Sequence, residues 1–174
     1  DGGLPGAPDE PHGRARRDGR RRRAGDPEPL PYLSGQLSTF DIQVEVWLST
    51  QRMRDEAIPA VRVSRSALRD LYWTPAQLLT HHASNGCWMK SGDLLASGTI
   101  SGPEKESPGC LLEGTWQGAG QPRLPLTLGG EQRSFLADGD EVTLRGYAEA
   151  PGRPRIGLGE CAGTVLPAIA TPAV

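Results

Sequence analysis

Thr39-Phe-Asp-Ile-Gln-Val-Glu-Val-Trp-Leu48 alternates side-chain character with a period of two. Phe40, Ile42, Val44, Val46 and Leu48 fall on one face, and Asp41, Gln43 and Glu45 on the other. Strict alternation of this kind predicts a half-buried β-strand. Trp47 interrupts the polar side, so the outer face should be partly covered as well. Further strands are expected along the chain. A short strand is expected around residues 60–63 after the loop containing Pro59, and another over 110–116. Two more, 133–136 and 141–147, read as a hairpin about Asp138-Gly-Asp140. The last long β stretch is expected over 155–166, with bends at Gly157, Gly159 and Gly163.

The period changes between these strands. Leu68, Leu71, Tyr72, Pro75 and Leu79 follow a helical stripe. Pro75 is disruptive inside a helix but favourable at its first position. Thr74-Pro75-Ala76-Gln77 therefore reads as a helix start, with Thr74 as N-cap and Gln77 closing a capping box. The helix should stop at Asn85-Gly86, and residues 66–73 add a preceding helical turn. The fold class is thus mainly β (α+β), with one helix near residues 75–84.

At 174 residues with a net charge of −2, the chain suits one domain with a substantial core. The charge is unevenly placed. Residues 1–29 carry seven arginines against six acids, while the remainder has 12 basic and 15 acidic residues, a balance that predicts no polyanionic partner. Gly, Pro, Asp and Arg dominate residues 1–29, which cannot bury enough apolar surface to offset ordering entropy. The segment is read as a disordered or out-of-frame leader, and residues 30–170 as the folded part. The other reading, a basic nucleic-acid arm over residues 14–23, lacks interleaved aromatics for base stacking. Cys87, Cys110 and Cys161 are widely spaced and odd in number, which fits reduced thiols in a cytoplasmic protein. No stretch is apolar for long enough to predict a membrane-spanning helix. The first residue is Asp1 rather than Met, so a fragment is expected.

Chemistry-bearing residues are sparse. His81 and His82 are consecutive on the expected helix and point about 100° apart, so they cannot clasp one metal from the same face. No EF-hand, His-Glu-x-x-His, nucleophile elbow or phosphate-binding loop is present. Gly92-Asp93 and Gly139-Asp140 each open an expected strand and are read as turn chemistry rather than as acids of a site. The remaining candidate lies in Lys90-Ser-Gly-Asp-Leu-Leu-Ala-Ser-Gly-Thr-Ile-Ser-Gly-Pro103. There Leu94-Leu95-Ala96 reads as a strand end that breaks into Gly98-Thr99. Glycines at 98 and 102 would admit a ligand or a neighbouring backbone. From its residues alone this segment is either a sheet bulge or a site.

The run Gln77 to Glu104, with its Thr80-His-His82 and Ser97-Gly-Thr-Ile-Ser-Gly102, closely resembles the C-terminal part of the fumarylacetoacetase (fumarylacetoacetate hydrolase) family. Pro31-Tyr-Leu33, Leu71-Tyr-Trp-Thr74, Ala137-Asp-Gly-Asp-Glu-Val142 and Arg155-Ile-Gly-Leu-Gly-Glu-Cys-Ala-Gly-Thr-Val-Leu-Pro167 extend the likeness, in order, over residues 29–168. What the resemblance implies is a mixed β-sandwich roll that pairs as a homodimer. The activity implied is hydrolysis of the carbon–carbon bond of 4-fumarylacetoacetate to fumarate and acetoacetate, in tyrosine and phenylalanine breakdown. The family uses a divalent cation, Ca2+ or Mg2+, and a histidine helped by a glutamate. The histidine and the metal carboxylates lie before the matched region, so no catalytic or metal-ligating residue is assigned in this chain. By itself the chain should be inactive. Thr99 is the residue carried over: its hydroxyl and backbone would hold a substrate carboxylate or carbonyl, with Gly98 leaving room. Two alternatives stay open. One is a related acylpyruvase or ring-cleavage-product hydrolase, and the other a non-enzymatic β-rich module with a nucleic-acid-binding arm.

Overall fold

A computed structural model describes residues 17–18, 28–34 and 38–169. Strands β1 (Arg17–Asp18) and β2 (Ser38–Thr39) pair antiparallel. Otherwise the expectation of a disordered or out-of-frame leader, and the arm over residues 14–23, fall on residues outside those described. The main sheet is built from β3 (Ile42–Ser49), β4 (Val61–Ala67), β7 (Glu141–Ala148) and β8 (Ile156–Thr164), in the order β4-β3-β7-β8. All its pairings are antiparallel. A separate two-stranded sheet joins β5 (Leu126–Leu128) to β6 (Glu131–Arg133). With the short helices α1 (Gln51–Asp55), α2 (Pro75–Ser84) and α3 (Leu111–Gly114), the class is mainly β, α+β.

The alternating stretch forms the central strand, but it starts at Ile42, and Phe40 lies outside it with 45% exposure. Its faces are covered in an unexpected way. Gln43 and Glu45 are buried, whereas Val44 and Val46 are only half-buried. The Glu45 carboxylate accepts hydrogen bonds from Arg62 Nη1 and Trp47 Nε1, both at 3.1 Å, and from the Tyr147 hydroxyl at 3.5 Å. These partners satisfy the polar face and allow its burial. Trp47 is half-buried between the guanidinium groups of Arg62 and Arg145.

The fully buried apolar cluster is displaced to one end of the sheet: Leu48, Met53 and Leu128, flanked by Ile58, Val63, Leu111 and Val142. Thr50 caps α1 by accepting the Met53 N–H, which lets Met53 turn inward to complete burial. Helix α2 begins as expected. Thr74 Oγ1 accepts from Gln77 N–H at 3.2 Å, and Gln77 Oε1 accepts from Thr74 N–H at 3.0 Å. It ends at Asn85, followed by Gly86 at φ +83°. Its apolar stripe does not form a core, however: Leu79 is 42% exposed and Tyr72 45%.

Several elements differ from the sequence expectation. The strand expected at 60–63 runs to Ala67, and the helical turn expected over 66–73 is a single 3-10 turn at Leu68–Asp70. The strand expected over 110–116 is α3, because Glu113 folds back on Gly109 and Ser101 rather than extending. The hairpin expected about residues 138–140 is absent; β6 turns back on β5 through Gly129-Gly130, and β7 pairs instead with β3 and β8. Leu94-Leu95-Ala96 belongs to no strand, and Leu94 is 96% exposed. The glycine-aspartate pairs do act as turns. Asp93 Oδ2 accepts from Lys90 N–H at 2.7 Å, and Asp140 Oδ2 from Ala137 N–H at 2.9 Å. Cys87, Cys110 and Cys161 are unpaired and exposed. Among the described residues no helix is long and apolar enough to cross a membrane.

Candidate functional site

The half-buried apolar face of β3 becomes the floor of a cleft of about 460 Å3. Val44 and Val46 of β3, Leu144 of β7 and Leu158 of β8 line it, with Gly98-Thr99-Ile100 and Pro108-Gly109 as the opposite wall. An antiparallel sheet places alternate residues of neighbouring strands side by side on one face. Val46 is in register with Ser64 and Leu144, and Val44 with Ser66 and Gly146.

The wall is fastened to the sheet by hydrogen bonds from the other side. Ser64 on β4 donates its hydroxyl to the Pro108 carbonyl at 2.6 Å, and Arg65 N–H donates to the Glu106 carbonyl at 2.9 Å. Gly102 N–H donates to the Ser107 carbonyl at 2.8 Å. The two wall segments are then clamped together by Glu113. Its Oε2 accepts the Ser101 hydroxyl and the Gly109 N–H, each at 2.7 Å. The Ser101 hydroxyl and then the Gly109 N–H hold the Glu113 carboxyl below its ordinary range, against a smaller opposing effect of burial. Glu113 is therefore a carboxylate at neutral pH.

Thr99 and Gly98 both line this cleft. Thr99 is exposed, and its hydroxyl has no hydrogen bond to a described residue. It rests against Gly109, where an added Cβ would stand 3.1 Å from Thr99 Cβ and 2.7 Å from Ser101 Oγ. Gly109 thus provides a close approach of the two wall segments. At Gly98 an added Cβ would meet nothing within 4 Å, and the backbone lies at φ +79°. Its glycine permits the left-handed turn, and the space beside it opens on the cleft. At Gly102 the expectation of close approach holds, since a Cβ there would lie 2.8 Å from Ser107 Cβ.

His81 and His82 sit on the last turn of α2 and do not line the cleft. The Tyr32 hydroxyl lies 3.3 Å from His81 Nδ1, with the two rings stacked. Among the described residues no group of three His, Cys, Asp or Glu side chains could hold a metal ion. The residues that sequence reasoning missed, Ser64, Ser66, Gly109 and Glu113, come from β4 and from the α3 segment with the glycine just before it. The one local signal was a glycine just before the short α3, Gly109, and another as its last residue, Gly114.

A family model described as Fumarylacetoacetate (FAA) hydrolase C-terminal matches residues 31–166. The chain is 50% identical over 145 residues to fumarylacetoacetase of Bos taurus, covering 83% of this chain and 33% of that protein. It is 49% identical over 146 residues to fumarylacetoacetase of Homo sapiens, with 83% and 33% covered. To that of Arabidopsis thaliana it is 45% identical over 143 residues, with 82% and 32% covered. The chain spans about a third of the length of the curated relatives it matches. Because the match takes in the four-stranded sheet and the Thr99 wall together, this chain belongs to the fumarylacetoacetate hydrolase family, in the region that forms its C-terminal part.

Proposed function

We propose that the cleft is the substrate-holding side of a fumarylacetoacetase, which hydrolyses the carbon–carbon bond of 4-fumarylacetoacetate to fumarate and acetoacetate in tyrosine and phenylalanine breakdown. The observation that carries this is Thr99: a hydroxyl without a described partner, at the rim of an apolar cleft, on a wall clamped by an ionised carboxylate. In this role Thr99 donates to a substrate carboxylate or carbonyl oxygen, and the turn at Gly98 aims it. The floor of Val44, Val46, Leu144 and Leu158 takes the carbon chain and keeps water from it. A carboxylate has room for about four hydrogen bonds. Glu113 spends Oε2 on Ser101 and Gly109, which leaves Oε1 open to orient an N–H donor such as a histidine base.

The family's chemistry includes a divalent cation, Ca2+ or Mg2+. The described residues do not make a ligand set for it, so its carboxylates would lie elsewhere in the assembled enzyme. A cytoplasmic homodimer completes the proposal, supported by the exposure of Trp88 (83%) and Leu94 (96%), which an assembled enzyme would cover.

The test is an NMR titration of the 174-residue chain with acetoacetate and with fumarate. The Thr99 and Ile100 amides should shift, and Thr99→Val should weaken binding about tenfold. Perturbation by pyruvate in place of these products would move the assignment to an acylpyruvase of the same family. Absence of any shift in the wall would refute the substrate-holding role. Measurable turnover by this chain alone, with Ca2+ or Mg2+ added, would refute the division of labour between the wall and the base.

A further inference from the structure

Ser64 and Ser66 sit two residues apart on β4, on the cleft side of the sheet, and each is 7% exposed. Their hydroxyls fare differently. Ser64 donates to the Pro108 carbonyl at 2.6 Å. Ser66 has no hydrogen bond to a described residue. Among the described residues no buried side-chain nitrogen or oxygen lacks a hydrogen-bond partner, so the Ser66 oxygen is reached from the cleft rather than sealed in the sheet.

The residues around Ser66 show what could satisfy it. Its neighbour in register is Val44, and beyond Val44 lies Gly146. No side chain rises from Gly146, and Leu158 closes over it, with Cδ1 3.2 Å from where a Cβ would stand. The row therefore presents one hydroxyl beside an aliphatic surface. No other polar side chain of the row competes for it. Thr99 offers a second hydroxyl without a described partner, from the facing wall of the same cleft.

We propose that Ser66 is a second substrate contact, donating its hydroxyl to a ligand oxygen at the sheet end of the cleft while Thr99 engages an oxygen at the rim. The ligand class is a short acyl chain with oxygen functions at two separated positions and apolar carbons between, as in a dicarbonyl acid. This rests on the substrate-holding cleft proposed above, and names its floor contact.

The experiment is the same titration with acetoacetate and fumarate, repeated on Ser66→Ala and Ser66→Thr chains, with thermal unfolding of each. Ser66→Ala should raise the product Kd about fivefold while leaving Tm unchanged, since the hydroxyl makes no bond to another described residue. Ser66→Thr keeps the hydroxyl and should retain wild-type affinity within about twofold. An unchanged Kd in Ser66→Ala, with Thr99 still responding, would show that the hydroxyl holds only water and would overturn the proposal without touching the cleft. A fall in Tm matching the loss of affinity would assign Ser66 a structural role and overturn it too. Failure of the wild-type chain to respond at Thr99 would instead remove the cleft, and this contact with it.

Discussion

Asp140→Asn should loosen the end of the sheet on which the cleft is built. Asp140 is 1% exposed and starts the turn into β7, the strand that carries Leu144. Its Oδ2 accepts from Arg133 Nε at 2.8 Å and Ala137 N–H at 2.9 Å, and its Oδ1 from Arg133 Nη2 at 3.1 Å. An amide in that position turns one acceptor into a donor that faces N–H groups. It also leaves the Arg133 guanidinium, with 16% of its side chain exposed, short of a counter-charge. Breaking a buried pair from one side costs about 3–5 kcal/mol. Arg133 retains Glu131 at 3.3 Å, so the low end, about 3 kcal/mol, applies. For a chain of this size that is a Tm drop of about 6–12 °C by calorimetry.

The pH dependence adds a second check. Burial pushes the Asp140 carboxyl up, but its bonds to Arg133 and the Ala137 N–H, together with the charges of Arg133 and Arg54, outweigh burial and leave it below its ordinary value. A lowered folded pKa contributes stability that is complete above the unfolded value of about 3.9 and is lost as pH falls from there through the folded value. The Tm gap between wild type and variant should therefore be full near neutrality and narrow below about pH 4. A gap of under about 2 °C at pH 7, or one that stays constant into acid, would refute this account of Asp140.

Other perturbations separate the parts of the wall. Gly109→Ala puts a Cβ 2.7 Å from Ser101 Oγ and 3.3 Å from the Ile100 carbonyl carbon, so the Thr99 loop must shift and product affinity should fall about tenfold or more. Gly98→Ala meets open space and costs only the strain of φ +79°, about 1 kcal/mol or a few degrees in Tm, with a smaller loss of affinity. Equal affinity losses in the two, measured by the acetoacetate titration, would mean that clearance at Gly109 does not set the wall. Glu113→Gln weakens a charge-assisted clamp and should raise the product Kd about threefold at neutral pH. Because the Glu113 carboxyl is lowered in the folded chain, the difference from the variant should disappear only as pH falls through that lowered value.

The sequence showed its structure where a few neighbouring residues settle the geometry. Thr74-Pro75-Ala76-Gln77 contains every atom of its capping box, and α2 starts there. Gly92-Asp93 and Gly139-Asp140 likewise close their turns with their own side chains. Errors arose where a distant partner decides. Cys110-Leu-Leu-Glu113 has an apolar content that suits strand or helix; the choice falls to Glu113 reaching Ser101, 12 residues back. Glu45 belongs by pattern to the solvent face, yet Arg62 and Tyr147, the latter 102 residues away, bring it inside. The family resemblance pointed to Thr99 and Gly98, which line the cleft, while nothing in the pattern set Ser66 apart from any serine in a strand.

Val44 and Val46 show a more general limit of periodicity. Alternation in β3 marks the face that must leave water, but it does not say what covers that face. At Leu48 the cover is Met53 and Leu128, and the result is core. At Val44 and Val46 the same face meets the Thr99 wall across an open cleft, and Leu144 and Leu158 remain 47% and 60% exposed beside them. An apolar floor held open by hydrogen bonds at its margins, from Ser64 to Pro108 and from Ser101 to Glu113, is maintained against collapse. Collapse would bury roughly 25 cal/mol of stabilisation for each Å2 of apolar surface, so the clamps oppose a real driving force. Their placement around the cleft, rather than across it, leaves the space to a ligand's carbon chain. In β3, one uninterrupted hydrophobic pattern therefore encodes both a core and the floor of an open cleft.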